Sequence, residues 1–351
     1  MTGGPGRRPG GPGPGRRRTR RSRLTPAAVL VERLAVLIGA GVAPARAWGH
    51  VGAVEPPGVI RRLAEAVALD GGDGVAVSTS LVSWLDTRPF EGAQDPDGHD
   101  RTWRQVACAW RVAETSGAPM ADCLHSLVSA LRAADEARRD VQVALSGPRA
   151  TANVVLALPP VGLLFSLLGL GFDTGAVLVG TPIGWACVGV AGGLVMVARR
   201  WNARLVRGAL PSSRVPGLRP ELLAVALSGG ASWSSGLATV DEAIVSCGIE
   251  AAVTEPPGGA GPVGESADRV ERRRCEAVLD LSRRAGAPAG LLLRSEAREL
   301  RLEARTVAQA AAGRLGVTLM LPLGVCILPA FLVIGVVPLV VSLVSSTAGS
   351  W

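Results

Sequence analysis

The side chains that carry most enzyme chemistry are scarce or badly spaced in this sequence. It has no lysine and no tyrosine, so all 37 basic residues are arginine. A Walker-type phosphate loop, whose lysine reaches the β- and γ-phosphates, is thereby excluded, as is a lysine Schiff base. His50, His99 and His125 show neither the spacing of a zinc pair nor a neighbouring cysteine cluster. The cysteines, Cys108, Cys123, Cys187, Cys247, Cys275 and Cys326, include no Cys-x-x-Cys pair, and Cys187 and Cys326 lie inside apolar runs. They read as small buried hydrophobes in a reducing compartment. There is no Gly-x-Ser-x-Gly elbow, and no dinucleotide-binding glycine motif stands between a strand and a helix. The sequence therefore predicts no catalytic residue, no cofactor and no metal.

Charge points away from a nucleic-acid binder. Residues 1–23 hold eight arginines and no acid, which leaves 29 basic against 29 acidic residues in the rest of the chain. The whole excess of +8 thus sits in one Gly/Pro/Arg tail. Such a composition buries no apolar area and predicts disorder. Beside a membrane it marks the cytoplasmic side and touches anionic lipid, so no nucleic acid is expected. The apolar stretch that follows is broken by Glu32 and Arg33 and does not read as a signal peptide.

What positions the remaining residues is helix, and the helical pattern recurs. Gly117-Ala118-Pro119 precedes a long amphipathic stretch and an apolar run containing Pro160; Gly286-Ala287-Pro288 precedes another, with Pro329 in its apolar run. A shift of 169 residues superposes the two turns, Leu124 on Leu293, Arg132 on Arg301 and Pro160 on Pro329. Upstream, Leu34-Ala35-Val36 through Gly41 reads onto Leu223-Ala224-Val225 through Gly230. Glycine at a helix end followed by proline at the next first turn makes each Gly-Ala-Pro a helix–turn–helix hinge. After the first hinge, Leu124, Leu127, Val128, Leu131, Ala134 and Val141 fall on one face. After the second, Leu293, Ala297, Leu300, Ala304, Val307 and Ala311 form a seam for a partner helix. Residues 70–100, rich in Gly and Asp with Pro89 and Pro96, read as a flexible insertion.

Charges then stop. Ala150 to Phe172 carries none, Asp173 interrupts, and Thr174 to Ala198 carries none; neither does Leu315 to Trp351. Each run is long enough to span about 30 Å of hydrocarbon as helix. Arginines flank the first two runs on one side, which by the positive-inside rule makes them a hairpin with both flanks in the cytoplasm. The expected class is all-α: tail 1–23, first cytoplasmic bundle 24–149, transmembrane hairpin 150–198, second cytoplasmic bundle 199–313, C-terminal transmembrane helix 314–345, external tail 346–351. The N-terminus is then cytoplasmic and the C-terminus external. The absence of mid-span ionisable residues argues against an ion or proton transporter.

This order, the repeated Gly-x-Pro turns and the run from Leu321 to Pro338 (LPLGVCILPAFLVIGVVP) resemble the type II secretion F family. More narrowly, they are similar to the inner-membrane platform proteins of tight-adherence (Flp) pili. The resemblance implies a non-enzymatic platform in the plasma membrane that couples a hexameric secretion ATPase to extraction and assembly of pilin or pseudopilin subunits. It also implies a second F-type platform protein as partner and a homo- or hetero-oligomer. Gly117, Pro119, Pro160, Gly286, Pro288 and Pro329 are its turn and span positions. Arg132, Glu136 and Arg139, with Arg301 and Glu303, are the candidate ATPase-docking face. The alternatives are a transporter, or a membrane-anchored scaffold whose basic tail binds nucleic acid or lipid.

Overall fold

The computed structural model describes residues 27–87, 99–147, 150, 151, 154, 157, 161, 182–209, 215–249, 267–334 and 340. The expected tail 1–23, most of the first apolar run with Pro160, and the external tail 346–351 lie outside the described residues. Every regular element described is helical, as the all-α expectation has it.

Helix α1 (Ala27–Gly39) buries Leu30, Val31, Leu34 and Ala35, the i, i+3, i+4 stripe of an amphipathic helix. It ends in a left-handed glycine, Gly41 at φ 88°, with Gly41 N bonded to Ile38 O and Val42 N to Leu37 O. These two bonds occupy carbonyls that the helix end would otherwise leave bare. The same closure recurs 189 residues later after α8 (Leu218–Ser228). Gly230 has φ 89°, Gly230 N bonds Leu227 O and Ala231 N bonds Ala226 O. Between them run α2 (Pro44–Val54), α3 (Val59–Gly72), α4 (Val77–Thr87), α5 (His99–Ser116), α6 (Met120–Ala144) and α7 (Pro182–Ala209). After α8 come α9 (Trp233–Ser246), α10 (Ala267–Ala285) and α11 (Ala289–Thr318).

The 70–100 insertion is corrected by α4. Val77, Leu81, Trp84 and Leu85 are buried, Ser80 Oγ donates to Asp70 Oδ2, and Ser78 Oγ donates to Glu114 at 2.6 Å. The Gly/Asp cluster before it is the last turn of α3 and its closure, with Gly74 at φ 86°. Only 88–98 within that stretch lies outside the described residues.

Two helices are buried on nearly every side. In α5, Trp103 to Ala113 are buried except for half-buried Arg104 and Arg111; in α8, Leu218 to Ala226 are buried without exception. A helix without a wet face belongs at the centre of a core. The two come from opposite halves of the chain and pack against each other. One continuous apolar cluster therefore includes Leu34, Trp48, Leu81, Trp110 and Leu131 together with Leu222, Val240, Cys275 and Leu293. Trp48 sits between Trp103 and Trp110, ring centroids 6.0 and 5.9 Å away, in the tilted geometry that aromatic quadrupoles favour. The segments 24–149 and 199–313 thus share a core.

From this core α6 and α11 leave side by side. Past the charged layer they meet in a second cluster of Val141 and Leu145 with Ala308, Ala312, Leu315 and Leu319, on which Leu205 of α7 packs. The expected seam holds at Leu293, Ala297 and Leu300, then departs from the structure: Val307 is 68% exposed and Ala308 and Ala312 are buried instead. At 3.6 residues per turn a contact stripe drifts from a strict 3.5-residue repeat, and steps of four from Leu300 follow it.

Beyond Thr318 the axis continues to Ile334 through a π-helical segment, Leu323–Ile327. Pro322 and Pro329 lack the N–H groups that would bond the carbonyls of Thr318 and Val325, and the break at Leu319 and the wider turn fall there. Ala289–Ile334 is the one helix among the described residues long and apolar enough to cross a membrane, by length and composition. The three-span layout expected from sequence is not thereby reached: the first run is largely outside the described residues.

Candidate functional site

The place where the two halves can act on each other is the junction of α6, α8 and α11, and it is built of ions. Arg301 of α11 points inward, its side chain 11% exposed, and its Nη2 donates to Glu221 Oε2 of α8 at 2.5 Å. Ser126 Oγ of α6 donates to the other oxygen of the same carboxylate. One buried acid therefore joins three helices. One turn further, Arg305 donates through Nε to Asp140 at 3.0 Å and through Nη2 to Glu136 at 3.2 Å; Gln309 Nε2 donates to Asp140 at 3.3 Å. Glu136 and Arg305 are 169 residues apart, as are Asp140 and Gln309. Positions that the sequence superposes thus stand opposite each other in the α6–α11 pair.

A second hub lies where the chain re-enters the core after α7. Arg219, its side chain 3% exposed, pairs with Asp241 of α9 and with Asp268 of α10 at 2.7 Å. Burial works against its charge, and the hydrogen bonds and fields of the two carboxylates outweigh that, so its pKa stands above the usual guanidinium value. Glu271 accepts from Gly217 N at 3.1 Å and Arg219 N at 3.2 Å, and Gln105 Oε1 from Val215 N at 3.2 Å. Gly217 is left-handed at φ 70°, and a Cβ there would stand 2.6 Å from Ala297 O of α11. Only glycine fits both demands.

The sequence-predicted residues divide. Gly117 and Gly286 have φ 67° and 64°, as the hinge reading requires. Ala118 N bonds Ala113 O at 3.1 Å, Pro119 caps α6, and Pro288 O accepts from Leu291 N at 3.2 Å. Pro329 follows the π segment, and Pro160 is outside the described residues. Arg132, Glu136 and Arg139 share one stripe of α6: Arg132 pairs with Glu32 of α1, Glu136 with Arg305, and Arg139 is exposed. Arg301 and Glu303 do not share a face. Arg301 turns to Glu221, and Glu303 pairs with Arg274 of α10 at 2.7 Å. Residues that sequence reasoning missed are Arg305, Asp140, Glu221 and Arg219. For Arg305 a signal existed: the repeat sets opposite charges at 136 and 305.

Two of the cysteine thiols are held in the protonated form. All six cysteines are buried and free. Burial, with the field of Glu221, pushes the Cys123 thiol up to about 12, and burial also raises Cys275 to about 12. Both are therefore protonated at neutral pH. The arrangement is a set of charged ties between helices, and one of the tied helices leaves the core.

No curated protein matches the chain. The family model described as type II secretion system (T2SS), protein F, matches residues 30–168, which takes in α1 to α6 apart from the first residues of α1, and this supports a type II secretion system F family protein.

Proposed function

We propose that this chain is a non-enzymatic membrane platform of a secretion or pilus-assembly machine, of the tight-adherence (Flp) kind. It engages a hexameric secretion ATPase through its cytoplasmic helices. It helps pilin or pseudopilin subunits leave the bilayer, together with a second F-type platform protein. The family match over residues 30–168 supports the class. The observation that carries the mechanism is Ala289–Ile334, a single helical axis from the shared core into an apolar segment. At 1.5 Å per residue it is a rod of about 70 Å, and a helix transmits displacement that a loop would absorb. Motion imposed on the core at Glu221 or Arg219 reaches that rod through ions rather than through a linker.

In this reading α7 is the returning arm of a membrane hairpin and Ala289–Ile334 includes the last span, with three spans in all. The duplication of the soluble unit is supported by the matched closures at Gly41 and Gly230 and by the matched hinges. Mild crosslinking of the tagged protein in its host membranes, then affinity purification and mass spectrometry, tests the proposal. Recovery of a secretion ATPase, a second F-type protein and a pilin is expected. Recovery of none of them from intact protein overturns it.

A further inference from the structure

A second surface stands apart from the ion-tied junction, and it rests on the membrane reading of α7. On that helix Cys187, Ala191, Ala198 and Asn202 are buried on one face, with Leu205 half-buried on the same side. Ala191 packs against Ala330 and Ile334, and Leu205 packs near Leu315 and Leu319. Two antiparallel helices thus share a seam along the apolar stretch. Arg199, Arg200 and Arg204 lie on the rest of the circumference, and all three are exposed. Arg314 is exposed as well and stands next to Leu315, hence at the height of Leu205. None of these four cations has an ion-pair partner among the described residues. In the core, by contrast, Arg104, Arg219, Arg274, Arg301 and Arg305 are each held by a carboxylate.

Two tryptophans bracket the helix. Trp201 is 42% exposed beside the arginines, and Trp185 is 66% exposed 16 residues away. That separation is about 24 Å along a helix. Val190, Met196 and Val197 between them are exposed and apolar. Indole at two levels with hydrocarbon-facing residues between is the pattern of a bilayer-crossing helix with interfacial anchors. The level of Trp201 then lies among the headgroups, where unpaired guanidinium groups meet phosphodiesters and bind them in bidentate fashion.

We propose that Arg199, Arg200, Arg204 and Arg314, with Trp201, form a docking surface for anionic phospholipid of the cytoplasmic leaflet. A zwitterionic headgroup carries its own ammonium and competes poorly for cations that have no carboxylate partner among the described residues. The surface anchors the end of α7 just before the chain re-enters the core at Arg219. It gives the moving core a fixed reference in the bilayer.

The test uses the full chain in nanodiscs of mixed phosphatidylglycerol and phosphatidylcholine, with retained lipid read by native mass spectrometry. Wild type is expected to retain phosphatidylglycerol preferentially. Combining R199Q, R200Q, R204Q and R314Q should lower that enrichment by at least about fivefold, the effect of ~1 kcal/mol from a single cation near an anionic surface. The lysine versions should keep most of it, and R62Q with R298Q, exposed sites elsewhere, should keep all of it. The single changes R200Q and R204Q should each lower it, which guards against misfolding of the quadruple variant. Equal retention in wild type and the glutamine variants overturns the surface. A chain that stays soluble without detergent and never enters discs overturns the membrane reading as well.

Discussion

Helices α6 and α11 begin from the same Gly-Ala-Pro turn, yet they use the same arginine in opposite ways. Arg132 of α6 lies on the surface, 56% exposed, and pairs with Glu32 of α1. Its counterpart Arg301 is inside, against a Glu221 carboxylate that is 7% exposed. The difference comes from what covers each helix. α1 lies along α6 and leaves that stripe wet, whereas α8 and α6 close over α11. A repeated sequence thus yields one outer helix and one inner, and the inner one continues into the apolar segment. The turn region shows the same asymmetry. Ala40 precedes Gly41 and is exposed, while at the matching place Gly229 lies under the first hinge, where a Cβ would stand 2.8 Å from Ala118 N.

This contrast can be broken by substitution, beginning with Arg301→Ala. That change leaves a buried carboxylate unpaired and is expected to cost about 3–5 kcal/mol in chemical denaturation of the detergent-solubilised protein. Adding Glu221→Leu should return most of it, since the buried pair contributes little once both charges are gone. An uncorrected loss in the double variant would mean that Arg301 stabilises by packing instead. Gly229→Ala comes next: the hinge backbone must move, and ~1–3 kcal/mol is expected. A sharper form of the comparison is Gly41→Ala beside Gly230→Ala. Both sites have φ near 89° and open space around a Cβ, so each should cost about 1–2 kcal/mol of pure backbone strain, and the two costs should agree. Unequal melting shifts would show that the two closures are not equivalent. The smallest effect belongs to Arg132→Ala, an exposed pair for which at most about 1 kcal/mol is expected.

Most of the helical frame was legible in the sequence because local chemistry dictates it. The Gly-Ala-Pro turns, the stripe Leu124-Leu127-Leu131 and the apolar run after Arg314 need no knowledge of the rest of the chain. The shared core was not legible. Helix α8 is buried all round and so carries no amphipathic stripe to announce a partner, and its neighbour α5 belongs to the other half. α4 was hidden by the Gly and Asp residues that flank an 11-residue helix. The inward turn of Arg301 was hidden by distance, since Glu221 lies 80 residues away in the chain. Periodicity tells which residues share a face, and only packing tells what that face meets.

The most direct measurement of the central claim is fibre or substrate assembly in the host with a Gly-Pro insertion after Ala311. This site is in the rod, below the Arg305 layer and above the apolar segment. The insertion is expected to leave the core folded and its partners recoverable, because Leu293, Ala297 and Arg301 are untouched, while assembly is lost. Intact assembly by a folded insertion variant would contradict the account, since motion would then reach the membrane without a continuous α11.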